Sequence, residues 1–190
     1  TTQISALADT QVAGLTATAI NGFTTRLGAL GAGQIDSIST TAFSGLNTTN
    51  IAALTTTQFA ALNATQIGVI TTTQLASVTA AQVGTLVVSQ VAGFTSTQVG
   101  ALTTTQSGGL SANALGALTA TQLGGLKSAN IAALTTTQLA GITSTQLGVL
   151  TTTQVGGITS TNLGALTTTQ LAGITSTGIG ALTSTQAAGL

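Results

Sequence analysis

Apolar and polar positions along this chain return with a period of eight. Residues 135–190 read TTTQLAGI, TSTQLGVL, TTTQVGGI, TSTNLGAL, TTTQLAGI, TSTGIGAL and TSTQAAGL. With Thr135 as position one and Ile142 as position eight, the register runs back without insertion or deletion to Gly31, giving twenty octads; octad 1 is 31–38 and octad 20 is 183–190. Position eight is always apolar, from Ile38 and Leu46 to Leu182 and Leu190. Position five is apolar except at Ser107 and Ala187. These two positions are the predicted core, and strict periodicity of this kind marks a solenoid whose units bury their apolar faces against one another.

Each octad reads as a short helix. Position one is Thr, Ser or Asn except at Gly31, Val87 and Lys127, and position four is Gln or Asn except at Ala42, Ala114 and Gly178. A hydroxyl at the N-cap with a Gln three residues on is a capping box. Position eight of the preceding octad then falls at N′ and position five at N4, the hydrophobic-staple pair. The intervals between core positions, three and five, are both odd. A strand needs even intervals to keep two residues on one face, so a β-solenoid, the alternative fold, would need a bulge or corner in every octad. Positions six and seven are almost all Gly or Ala, and Gly costs roughly 1 kcal/mol relative to Ala inside a helix, so the helix is predicted to stop there after one to two turns with Gly as its C-terminal stop.

Position seven carries a slower rhythm. Gly93, Gly109, Gly125, Gly141, Gly157, Gly173 and Gly189 alternate with Ala101, Ala117, Ala133, Val149, Ala165 and Ala181. Val69, Thr85 and Val149 fall in the second series, and β-branched residues avoid positive φ. The alternation predicts a Gly corner at positive φ and a non-Gly corner, hence an all-α repeat solenoid with two octads, sixteen residues, per coil. Ten such coils rising about 8–10 Å each would form a rod, against about 4.7–4.9 Å per coil for a β-solenoid. On this reading Leu147→Asn breaks the core and Thr152→Asn is nearly silent.

Residues 1–30 follow the octad loosely, with Gln3, Gln11 and Ala19 at position four and Leu7, Leu15 and Phe23 at position eight, and one residue is missing between Phe23 and Leu30. Degenerate terminal repeats commonly serve as caps, so 1–30 is read as N-terminal repeats and a cap, and 31–190 as the uninterrupted array. The last octad ends in register, and the chain begins inside a repeat without Met. That points to a fragment of a longer array, or to a protomer whose ends continue into the next.

Composition narrows the functional classes. Hydrophobic residues make up 43% of the chain, and they are placed, which argues for order despite the Thr, Gly, Ala and Gln bias. There are two basic and two acidic residues and a net charge of zero, so nothing keeps copies apart. There is no His, Cys, Tyr, Trp, Met or Glu. Acid–base catalysis would rest on Asp9 and Asp36, which are read as solvated surface; Lys127 is read as a solvated side chain on a weaker cap. No catalytic residue, metal ligand, cofactor or small-molecule substrate is expected. There is no basic patch for nucleic acid, and Thr interrupts every apolar run before it reaches membrane-span length.

Three repeated features remain as candidates: the Gln column, a capping device or an amide ladder between chains; the T-x-T of positions one to three, which on a β-solenoid would form an ice-binding array; and exposed Thr as O-glycosylation acceptors. The octad, as in LTTTQLAG followed by ITSTQLGV, resembles the low-complexity repeat tracts of very large secreted or surface-attached bacterial proteins labelled adhesin-like. The resemblance covers 31–190, is compositional and transfers no site residues. It implies an extracellular stalk, fibre or matrix component. Together these features lead to the expectation of a self-associating structural protein at the cell surface or outside the cell, with a passive adhesin stalk or an ice-binding surface as alternatives.

Overall fold

A computed structural model describes residues 2–190, the side chain of Thr25 excepted. Its described residues form 23 α-helices of four to six residues and one 3₁₀ helix, with no strand. The chain is an all-α helical-repeat solenoid, and the β alternative has no support. Two compact units divide it, 1–94 and 95–190.

The octad explains each helix. In octad 14 the helix Thr136–Ala140 starts after Thr135, whose extended backbone (φ −77, ψ 162) turns the chain into the first turn. Thr135 Oγ1 accepts from the Gln138 amide at 3.2 Å, and Gln138 Oε1 accepts from the Thr135 amide at 2.9 Å. The reciprocal box satisfies two of the four donors left open at a helix start. Its end is tightened by an i→i−3 bond, Ile142 N to Leu139 O at 3.0 Å. Position eight is then extended, as at Leu118 (φ −62, ψ 137), and with position one it forms a two-residue link to the next helix.

In 1–94 the core is a line of fully buried position-five residues, including Ile35, Phe43, Ile51, Phe59, Ile67 and Leu75. In 95–190 Leu115, Leu123, Leu147 and Val155 continue the pattern. Position eight is buried beside it at Leu54, Leu62, Leu110 and Leu126. Burying one such side chain stabilises by roughly 1.5–3 kcal/mol, and only packing of this kind holds helices far too short to persist alone. Leu147→Asn is therefore expected to destabilise 95–190 by about 3 kcal/mol in thermal melts, whereas Thr152→Asn, on the exposed face, should leave the melting temperature unchanged.

Two expectations are corrected. The coil is not sixteen residues. Within each unit a helix packs on the helix three octads away, as Ala112–Ala117 does on Thr136–Ala140 and Thr40–Ser44 on Ala64–Val69. Side-chain bonds between successive coils span 28 to 31 residues, so a coil holds more than three octads, and the ten-coil count falls with the sixteen-residue coil. Nor is there a positive-φ Gly corner among the described residues. Gly141 ends its helix at φ −75, as Ala133 does at φ −83.

The Gly alternation has another cause. A Cβ on Gly157 would lie 2.5 Å from Ser128 O, and one on Gly148 2.9 Å from Gly173 O. The same meeting recurs between Gly141 and Ala112, Gly125 and Ser96, and Gly173 and Ser144. Position seven of an even octad presses on the backbone at position two of the odd octad three units earlier, too closely for any side chain. Since three is odd, each of these contacts between helices three octads apart pairs an odd with an even octad. The sixteen-residue rhythm thus marks alternating tight and open contacts between larger coils. Ala133 and Ala165, in the other series, are exposed.

The residue missing after Phe23 also has a structural outcome. Thr24–Ala29 forms the 3₁₀ helix, entered through Thr24 at φ 50, a left-handed conformation that a β-branched residue adopts only at a cost. Leu27 and Leu30 still reach the core, so the deletion removes the position-four Gln and keeps the apolar pair.

Candidate functional site

The position-four glutamines form a polar constellation that repeats within each unit. Gln138 is buried, and while its Oε1 caps its own helix, its Nε2 points to the preceding coil. There it donates to Leu110 O at 2.7 Å, Gly108 O at 3.0 Å and Ser107 O at 3.2 Å. Gln146, Gln154, Gln170 and Gln186 repeat the arrangement, with position-eight carbonyls at 2.6 to 2.7 Å. In 1–94, Gln66 reaches Ile38 O at 2.8 Å and Gln74 reaches Leu46 O at 2.6 Å. One carboxamide thereby closes the N-terminus of its helix and the C-terminal carbonyls of the helix four octads earlier. The two readings of the column merge: it is a capping device, and it is also a ladder, running between coils of one chain.

This double role explains why a chain built on capping boxes contains no Glu. Glu serves a capping box as well as Gln does, but it has no donor for the carbonyls behind it. The absence of Glu from position four is the signal in the sequence that points to the cross-coil bond. Asn is one methylene shorter. Asn130 and Asn162 still reach the position-eight carbonyls of Leu102 and Leu134, at 2.9 and 2.8 Å. Asn130 also donates to Ser107 Oγ at 2.7 Å, so the polar exception at position five meets a short exception at position four. At Asn50 the shortfall leaves Oδ1 buried without a partner, because Asn21 Oδ1 takes both the Asn47 amide and Asn50 Nδ2.

Where the column is broken the acceptors stay open. Gly178 stands at position four of octad 19, and Leu150 O, which a Gln there would reach, accepts no bond among the described residues. A Cβ at Gly178 meets the Cγ2 methyl of buried Ile174 at 2.9 Å and that of Val155 at 3.3 Å, so Ile174 must shift by a few tenths of an ångström to admit it. Gly178→Gln is expected to stabilise 95–190 by about 1–2 kcal/mol, from helix propensity and the restored amide bonds, read as a raised melting temperature. Ala42 breaks the column in 1–94 and lines an open groove with Ala13, Leu15, Thr16, Ser39 and Thr41.

The four charged residues are placed as follows. Asp9 lies beside Gly33, on the helix that carries Asp36, so the two acids are closer in space than in sequence. The Asp36 carboxylate accepts from Asn63 Nδ2 at 2.8 Å. Arg26 is in the last turn of the 3₁₀ helix, and Lys127 occupies an N-cap with no side-chain cap bond. No group of three or more His, Cys, Asp or Glu lies together among the described residues. No described helix is long and apolar enough to cross a membrane. The remaining concavities are shallow grooves of hydroxyls and small residues, such as that of Ser144, Thr145, Gly148, Thr169, Ala172 and Gly173.

Within this geometry the segment Ala133-Leu134-Thr135-Thr136-Thr137-Gln138 is one turn of the device: position-eight core residue, N-cap Thr and ladder Gln. Residues 126–160 match the ALTTAQ repeat. The letters of that repeat correspond to positions seven, eight, one, two, three and four of the octad, with Thr137 where the repeat has its second Ala. The ALTTAQ match thus falls on the boundary between octads, where N-cap, staple and Gln lie together. No curated protein matches the chain.

Proposed function

We propose that the chain is a structural protein, a self-associating repeat solenoid that builds an extracellular filament, fibre or surface layer. The observation that carries this reading is the ladder itself. The repeated polar side chains are consumed in closing helix ends, and the outward face is left to Thr, Ser and Ala with four charges in 190 residues. Such a surface offers no acid–base pair and little repulsion between copies. The likeness to bacterial adhesin-like tracts supports an extracellular setting, and a passive stalk is the second reading. The ice-binding alternative depended on a flat β array, which these helices do not supply. Purified chain at high concentration in physiological salt is expected to form filaments visible by electron microscopy. Persistent monomers in sedimentation velocity would remove the assembly reading.

A further inference from the structure

The Gln column breaks inside residues 1–94 at Ala42, and the backbone groups that a Gln there would join are left facing one groove. In octad 4, Gln58 Oε1 accepts from the Thr55 amide at 2.9 Å, while its Nε2 donates to Leu30 O at 2.7 Å and Leu27 O at 3.0 Å. Gln34, one octad before Ala42, joins the Gly31 amide to Leu7 O and Ser5 O in the same way. The counterparts one octad on are the Ser39 amide, Leu15 O and Ala13 O. None of these makes a hydrogen bond among the described residues.

Ala13, Leu15, Ser39 and Ala42 all line the groove, between the helix Thr40–Ser44 and the helix Ala17–Asn21 on which it packs. Its walls are successive coils, and it opens because position four of octad 2 stops at Cβ. Ala42 is buried at its floor, and Ala13 and Ser39 are exposed at its mouth. A donor and two acceptors are thus left over in the places where neighbouring octads hold a carboxamide.

We infer that the groove at Ala42 binds a small free primary amide, its oxygen accepting from the Ser39 amide and its NH2 donating to Leu15 O and Ala13 O, as the Gln58 carboxamide serves Thr55, Leu30 and Leu27. A carboxylate offers acceptors only and would face two carbonyl oxygens; an N,N-dimethylated amide keeps the oxygen and loses the donors. A carboxamide in this orientation turns its carbon substituent towards Ala42. Formamide therefore fits most simply, whereas a glutaminyl chain arriving from solvent would press its stem against the floor. The groove lies within one copy, so the inference does not depend on self-association.

Formamide is the probe. In chain labelled at serine nitrogen and leucine carbonyl carbon, its titration should move the Ser39 amide proton downfield and shift the Leu15 carbonyl carbon along one saturating curve. For so small a ligand the dissociation constant is expected on the order of 10 mM. The Ser77 amide, already bonded to Gln74 O, should drift only linearly. Ala42→Gln supplies the same group covalently, so its Ser39 amide should start near the saturated position and cease to respond. N,N-dimethylformamide should saturate neither signal. The inference is overturned if formamide gives no saturating shift, if dimethylformamide reproduces it, or if Ala42→Gln titrates like wild type.

Discussion

Gln138→Leu is expected to destabilise residues 95–190 by about 3–5 kcal/mol, enough to lower a thermal midpoint by ten degrees or more. The substitution strips the Thr135 amide of its acceptor and the carbonyls of Gly108 and Leu110 of their donor. Each buried polar group left unmade costs about 1–3 kcal/mol, and the apolar gain from Leu does not offset two or three of them. Gln138→Asn should cost less, since Asn130 and Asn162 show that the shorter amide still reaches a position-eight carbonyl. Gln138→Glu adds a signature in pH. The carboxylate would sit buried against carbonyl oxygens, so its folded pKa is raised above the unfolded value of about 4.3. The folded state then holds the proton more tightly than the unfolded state. The variant gains stability as pH falls through the raised value and loses it again at neutral pH. Urea melts of Gln138→Glu at acid and neutral pH, beside wild type, read this directly.

Gly157→Val is the second large effect, at about 2–3 kcal/mol or more, against a negligible change for Ala133→Val or Ala165→Val. At Gly157 the added Cβ meets Ser128 O at 2.5 Å, and the obstructing atom is backbone, which cannot swing aside. Ala133 and Ala165 already carry a Cβ and face solvent. Backbone dihedrals are not the reason, since Gly157 shares its class with Gly141 at φ −75, open to any residue. Parallel thermal melts of the three variants decide it. Equal losses in both series would contradict the alternation of tight and open contacts.

These two predictions mark what the sequence disclosed and what it withheld. The helix within the octad was legible because its determinants are local. Thr135 and Gln138 are three residues apart, and Leu134 and Leu139 bracket them at staple spacing. The partner of each helix was not legible. It is set by the bend that the extended link at positions eight and one imposes, accumulated over three octads, and no residue names that sum. The Gly157 series therefore suggested the right inequality between Gly and Ala through the wrong cause, a positive φ in place of backbone contact at a distance of 29 residues. A second trace of that contact was present at position two, where Ser96, Ala112, Ser128, Ser144 and Ser160 stand opposite the Gly series while Thr136, Thr152 and Thr168 do not. The cross-coil half of the Gln column was visible only through what is missing. A chain without Glu, in a motif that usually admits it, was signalling the use of a donor.

The most direct test of the account is the neighbourhood of the Gln138 carboxamide in solution. Nuclear Overhauser contacts from its Nε2 protons, in chain labelled to resolve that residue, should run to residues 107–110, the end of the helix four octads earlier. Contacts to residues 119–126 instead, one sixteen-residue coil back, would contradict the ladder and the coil built on it.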